Sequence, residues 1–339
     1  SHSCPGLRCT PRALMQSTLR GRELMVATGV GGAILTATGL LGLWRAPLPP
    51  GRPWAVERQL LIGHRGCRLG KPAGSRPPPE NTLAAFEYAL AQGADGFELD
   101  TRLTKDGVPV VFHDGLVGRC LADREGRNPR VADLTLAELQ QLPFKSAPSM
   151  RAPTLEDAVL LAKARGAKLL VETKDLLRPE ELAARVVELI RKHGIVEDTL
   201  VISFDPRSLY HVRQVDPEIR TCFLWSPGTV MGWLLGGKEA LPGAWKPVAW
   251  LLDLALAVGA HPALLPCFLG CSAVGPQASY CKLHLGAARR RGLGTYVWVV
   301  NDAELESEMQ GLAGSGVLAY STDELWPSAA RAPAASGAE

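Results

Sequence analysis

Glu98 and Asp100 stand two residues apart in GFELDTRLTKDGVPVVFHD, residues 96–114, a run that closes on His113-Asp114. Its flanks are apolar and β-branched, and Asp106-Gly107 supplies a tight reversal, so the run predicts a two-stranded hairpin. On a strand, residues i and i+2 share a face. Two carboxylates on one face repel each other, and a bound cation is the simplest relief. Hard oxygen ligands suit Mg²⁺ or Ca²⁺. Taken alone, the pair fits an exposed strand end with two solvated acids just as well.

It does not stand alone. GHRG (63–66) closes a preceding apolar strand and places His64 and Arg65 at its end. VETK (171–174) ends a later strand with Glu172 and Lys174 on one face. Each of these has a plain structural explanation, a core histidine or a surface pair. Together, at consecutive strand ends, they offer a cation site, two imidazoles for proton transfer, and Arg and Lys for an anion. That inventory suits metal-assisted displacement at phosphorus.

The elements that must position these residues alternate in type. QLLIGH, AKLLVETK, TLVISF, IRTCFLW, GTYVWVV and GVLAYS read as strands besides the hairpin, about eight in all. ENTLAAFEYALAQG, TLEDAVLLAKARG, PEELAARVVELIRKHG, PRSLYHVRQV, ASYCKLHLGAARRRG and DAELESEMQGLA read as helices between them. Alternation sustained over residues 58–327 predicts an α/β fold, a (β/α)8 barrel by strand count, with a doubly wound open sheet as the alternative. No GxGxxG or GxxxxGK[ST] follows the first strand to favour a nucleotide fold. In a barrel the strand ends open into a common mouth, which is where such folds do chemistry.

Composition narrows the classes. Apolar residues are 46% and charged residues 21% of 339, which argues against a disordered body. A net charge of +3 gives no footprint for nucleic acid, and Arg289-Arg290-Arg291 suits a helix C-terminus. The eight cysteines form no CxxC pair, so neither a soft-metal site nor a small disulfide scaffold is indicated.

Two stretches point to a membrane. Met25–Trp44 runs 20 residues without a charge, about the length that crosses a hydrocarbon core. We expect a tail (1–24), a single-pass anchor (25–44) and a linker (45–57) before the barrel, with the barrel's side of the membrane undecided and a signal peptide as rival. Further on, Trp225, Trp233, Trp245 and Trp250 cluster, and no Asp, Glu, Lys or Arg occurs from Leu254 to Cys281. An apolar Trp-rich insertion over 226–276 is expected, either dipping into a bilayer or packed as barrel core. Pro262, Pro266 and Pro276 argue against a second spanning helix.

The order HRG, PENTLAAF (79–86), GADGFELDTRLTKDGVPVVFHD, VETK and VWVVND (297–302) resembles the glycerophosphodiester phosphodiesterase family, over roughly residues 58–327. With the apolar segments it most resembles that family's membrane-bound animal branch. The resemblance implies a TIM barrel that hydrolyses glycerophosphodiesters, such as glycerophosphoinositol, to sn-glycerol 3-phosphate and an alcohol. It implies that Glu98, Asp100 and Glu172 hold a divalent cation, Mg²⁺ or Ca²⁺. His64 and His113 would be general base and acid in either order, Arg65 would contact the phosphate and Lys174 would sit beside it. Glu80 would lie next to the metal group, and Trp298 would line the substrate cleft. Residues 115–150 resemble the family's insertion after the His-Asp motif, a small cap whose helix starts at Asp133 or Thr135. The chain departs from the family in a long Pro- and Gly-rich spacer, Cys67–Pro79, and in its closing LAYSTD, beyond which a tail (328–339) is expected.

Two rivals remain at this level. A lysophospholipase D acting on lysophospholipids or N-acyl ethanolamine phosphodiesters would use the same fold. A non-catalytic membrane interaction protein on an inherited barrel would have lost a histidine or a metal ligand, and none is missing.

Overall fold

Eight parallel strands close on themselves in the computed structural model, which describes residues 48–67, 77–123, 126–229, 246–260 and 263–325. Around the ring they are β1 (Leu60–Gly63), β2 (Gly96–Leu103), β4 (Lys168–Thr173), β5 (Thr199–Ser203), β6 (Thr221–Trp225), β7 (Ala273–Pro276), β8 (Gly294–Val297) and β9 (Val317–Thr322). β9 pairs back onto β1, and β1 onto β2. The remaining strand, β3 (Pro109–Val111), lies outside the ring, antiparallel to the last residues of β2. Helices α1 (Leu83–Ala91), α3 (Leu155–Arg165), α4 (Pro179–His193), α5 (Pro206–Val215), α6 (Lys246–Ala260), α7 (Leu264–Phe268), α8 (Cys281–Arg290) and α9 (Ala303–Gly311) fill the crossovers, and α2 (Leu136–Gln141) follows β3. This is the (β/α)8 barrel that the alternation predicts.

Local chemistry sets the boundaries. Thr154 caps α3 in a reciprocal box with Asp157. Pro179 opens α4, and Gly194 ends it at φ 70°, a left-handed turn that a side chain would strain.

The ring's alternation is strict enough to follow residue by residue. Leu60, Ile62, Leu170, Leu200, Ile202, Cys222, Leu224, Ala273, Tyr296 and Ala319 form one buried cluster inside the barrel. Their neighbours Phe97, Leu99, Leu169, Val171 and Val201 point outward and pack under the helices. Register places Asp100 beside Glu172 and Leu170 beside Glu98. Two residues beyond each inward apolar position the same face therefore reaches the C-terminal end of the strands. There Ile62 gives way to His64, Leu170 to Glu172, Ile202 to Phe204 and Tyr296 to Trp298.

The strand inventory differs from the expectation in one place. β3 is a hairpin arm and not a ring member, and β7 supplies the missing ring strand inside what reads as the Trp-rich insertion. Its four residues, Ala-Val-Gly-Pro, are too short to show alternation. Gly275 leaves room there: a Cβ would sit 2.5 Å from Leu224 Cδ2, and that side chain would have to shift.

The expected linker is no free tether. From Leu48 onward it is fastened across the N-terminal ends of the strands, Leu48 N–H donating to Phe268 O at 3.0 Å and Arg220 Nε to Pro53 O at 3.0 Å. Trp54, 2% exposed, plugs the barrel from that end. Within the expected cap, α2 starts at Thr135, and Val117, Leu121, Val131, Leu139 and Phe144 form a separate small core. The predicted anchor 25–44, both tails, most of the 67–79 spacer, Trp233 and Trp245 lie outside the described residues. Among the described residues no helix is long and apolar enough to cross a membrane.

Candidate active site

β1 runs into a single tight turn, His64–Gly66, so both functional residues of GHRG sit at the mouth. His64 is 8% exposed, its Nδ1 2.7 Å from Asp323 Oδ1 and its Nε2 3.8 Å from Glu98. Arg65 adopts φ 51°, which turns its backbone N–H onto Glu98 Oε2 at 3.0 Å. Its guanidinium lies 3.3 Å from Asp100 and 3.3 Å from Glu80. Asn81, also at positive φ, donates to Asp100 Oδ2 at 2.8 Å and accepts the Asp100 N–H at 3.2 Å. The PEN turn thereby fixes the Asp100 carboxylate from both sides. β3 returns alongside β2, which carries His113 to the same mouth, its Nδ1 2.6 Å from Asp114 Oδ1.

Glu98, Asp100 and Glu172 offer oxygens within 4.8 Å of one another. Lys174 pairs directly with Glu172 and lies 3.3 Å from Asp100. Burial and the charges of Asp100 and Glu172 push the Glu98 carboxyl well above the usual range. Burial would raise Asp100 too, but Lys174, His113, Arg65 and the Asn81 hydrogen bond outweigh it and hold Asp100 well below. For Lys174 burial alone would lower the ammonium; Glu172 and Asp100 more than offset it and raise it.

The three carboxylates fit a divalent cation. Glu98 Oε1 is buried and accepts no hydrogen bond, a costly state that a cation would relieve, and Asp100 Oδ1 has the Lys174 ammonium at 3.3 Å without a hydrogen bond. All the donors are hard oxygens, and Glu98 carries repulsion that one added positive charge would remove.

His64, Arg65, Glu98, His113, Glu172 and Lys174 line a cavity of about 440 Å³. Ile202, Phe204, Leu224, Tyr296 and Trp298 complete its lining. Trp298 is held by its indole N–H on Gly275 O at 2.7 Å and by an edge contact with Phe204, ring centroids 5.1 Å apart. A lining that combines charged groups with aromatic ones suits a small molecule with an anionic centre and a less polar arm.

The structure brings His64, Arg65, Glu98, Asp100, His113, Glu172, Lys174, Glu80 and Trp298 to one mouth. Asp100 is fully buried behind Arg65 and Lys174 and does not line the cavity. Sequence reasoning missed Asp323, Asn301 and Arg119, and gave no role to Asp114 or Phe204. Asp323 continues the inward face Ala319-Ser321, so the parity of β9 could have found it. Asn301 supports it, Nδ2 donating to Asp323 Oδ2 at 2.9 Å. Arg119 comes from the cap and bonds Glu80 and Asp114, a contact that no spacing in the sequence announces.

Comparison with known proteins agrees with this geometry. The glycerophosphoryl diester phosphodiesterase family model matches residues 64–325. Bovine glycerophosphodiester phosphodiesterase 1 is 29% identical over 296 residues, 82% of this chain and 83% of its own. A glycerophosphodiester phosphodiesterase of Caldanaerobacter subterraneus is 33% identical over 183 residues, covering 52% of this chain and 70% of its own. Among solved structures, an Oleispira antarctica phosphodiesterase in complex with the product sn-glycerol-3-phosphate superposes with TM-score 0.57 at 25% identity, covering 78% of this chain and 93% of that one. The Agrobacterium tumefaciens glycerophosphodiester phosphodiesterase shares the fold, with TM-score 0.58 at 24% identity over 78% of this chain and 96% of that one. From residue 64 to residue 325 the chain belongs to the glycerophosphoryl diester phosphodiesterase family, enzymes that hydrolyse phosphodiesters.

Proposed function

We propose that the protein hydrolyses deacylated glycerophosphodiesters, of which glycerophosphoinositol is the example tested first, with His64 and His113 as the acid/base pair. The observation that carries this is the pairing of each imidazole with a carboxylate, His64 with Asp323 and His113 with Asp114, where both imidazoles line one cavity. A carboxylate on Nδ1 keeps the proton there and leaves Nε2 to work on substrate. One Nε2 removes the glycerol 2-hydroxyl proton as that oxygen forms a bond to phosphorus. The other gives its proton to the alcohol oxygen as its bond to phosphorus breaks. The resulting cyclic phosphate is opened by water with the two roles exchanged: the second imidazole takes the water proton and the first returns one to the 2-oxygen. The products are sn-glycerol 3-phosphate and the free alcohol.

Arg65 holds the phosphoryl oxygens, and Lys174 lies beside them; both are charged donors fixed before substrate arrives. Glu98, Asp100 and Glu172 would hold Mg²⁺ or Ca²⁺, which when bound neutralises charge that gathers on the phosphoryl group. Trp298 and Phe204 take the alcohol arm. Inositol or choline release from the corresponding diester, abolished by EDTA and by His64→Ala, tests this reading; turnover that survives both defeats it.

A second reading concerns the membrane. On α6 the outward positions Pro247, Trp250, Leu251, Leu254 and Ala255 follow helical spacing and are all apolar, with Trp250 59% and Leu251 57% exposed. The inward Leu252 and Ala257 pack on the barrel. Water-facing helices carry polar residues on that side. Leu48, the first described residue, donates its N–H to Phe268 O at the end of α7, the helix that follows α6 in the chain. We propose that the flank lies on a lipid surface beside an N-terminal single-pass anchor. In full-length protein on phosphatidylcholine vesicles, residues 246–260 should then exchange amide hydrogens more slowly; unchanged exchange on vesicle-bound protein removes the proposal. Lipid contact would also favour acylated substrates, the lysophospholipase D alternative.

A further inference from the structure

Arg119 sits on the first turn of the cap, outside the cavity lining, with its side chain 46% exposed. Its Nη1 donates to Glu80 Oε2 at 2.9 Å and its Nη2 to Glu80 Oε1 at 2.6 Å. The same guanidinium turns its Nε to Asp114 Oδ2, and its Nη2 lies 3.2 Å from Asp114 Oδ1. Each of those carboxylates has a second duty. Asp114 Oδ1 takes His113 Nδ1 at 2.6 Å, and Glu80 Oε1 takes Arg65 Nη1 at 3.3 Å.

We propose that Arg119 is a positioning residue for the reaction, a clamp from the cap that fixes His113 through Asp114 and Arg65 through Glu80. The proposal rests on the roles given above to His113 and Arg65. A planar guanidinium is suited to the task, because it reaches two carboxylates with parallel donors where an ammonium offers a point charge. Removing it would leave two carboxylates close together without a shared cation. Asp114 would turn away, the His113 ring would lose its fixed tautomer, and Glu80 would hold Arg65 alone.

The cap can hold such a clamp in place. Val117 is fully buried in the cap core, and Gly118 N–H donates to Asn128 Oδ1 at 2.6 Å. Lys145 closes on Gly118 O from the other end of the cap. The position of Arg119 is therefore set by the cap's own packing, and the cap's assembly becomes a condition for an ordered acid/base pair.

The test compares Arg119→Ala and Arg119→Lys with His113→Ala and Arg65→Ala in the full chain, on glycerophosphoinositol with added Mg²⁺ or Ca²⁺. Arg119→Ala should lower kcat by about 10- to 100-fold, the usual loss when a group orienting an active-site ligand is removed. KM should move little and the melting temperature should stay near wild type. Methylguanidinium should restore part of the lost kcat while methylammonium does not, and Arg119→Lys should stay impaired. Wild-type kcat in Arg119→Ala, or equal rescue by both cations, overturns the clamp while His113→Ala and Arg65→Ala remain inactive. Normal turnover in either of those last two variants overturns the reading underneath it.

Discussion

Asp323 and Asp114 each occupy Nδ1 of a histidine, so replacing one by asparagine keeps the shape and changes the proton. In Asp323→Asn an amide can present its N–H to Nδ1, which favours the proton on Nε2 and removes the working lone pair. The expected loss in kcat is about 10²- to 10⁴-fold with little change in KM; steady-state kinetics showing less than a twofold loss would contradict the pairing. Glu98 supports a pH prediction. Burial and its acidic neighbours raise its carboxyl, and it must lose that proton to ligate, so cation affinity falls as pH is lowered. The melting-temperature gain from saturating Mg²⁺ or Ca²⁺ should therefore shrink from pH 8 to pH 5; a gain that does not vary with pH contradicts it. At this scale Glu98, Asp100, Glu172 and Lys174 were legible from strand parity, and His64, Arg65 and His113 from the HRG and His-Asp motifs that follow strands. Arg119 was not: its contacts join residues 39 and 5 positions away across a loop, and only the folded cap brings them together.

The strands explain why the site is where it is. β1, β4, β5 and β8 carry apolar residues inward and lead into cavity-lining residues two positions further on, so β4 alone supplies Leu170 to the core and Glu172 to the mouth. Core stability and chemistry then separate by height along the barrel. Trp54 tests this separation, because it fills the end of the barrel away from the mouth. Trp54→Ala should cost about 3–5 kcal/mol of unfolding free energy, while kcat in the still-folded protein stays near wild type. A large kcat loss at full helical content would show that the two ends are not independent. Element types were readable wherever a segment was long and periodic, as in α4 and β2. β7 was hidden by its length of four residues and its Gly-Pro end, and β3 was mistaken for a ring strand because alternation cannot tell a hairpin arm from a barrel stave.

For the whole molecule, closure of eight strands turns residues from 64 to 323 into one wall around a cavity. The strap from Leu48 and the plug of Trp54 meet the opposite end. On the membrane reading proposed above, the apolar flank of α6, with Trp250, Leu251 and Leu254 exposed, is the face that meets the lipid surface. That arrangement separates two substrate classes, soluble diesters from acylated ones. Charged substitution on the flank, Trp250→Glu with Leu254→Glu, should lower turnover of a vesicle-borne lysophospholipid and spare a soluble diester. Equal loss on both would point to damage of the fold.

The most direct test of the central claim is release of inositol from glycerophosphoinositol by the full-length protein, with and without EDTA, beside His64→Ala. The account predicts release that depends on added Mg²⁺ or Ca²⁺ and disappears in the variant, with sn-glycerol 3-phosphate as the other product. Undiminished release by folded His64→Ala, or glycerol and inositol phosphate as the products, would contradict it.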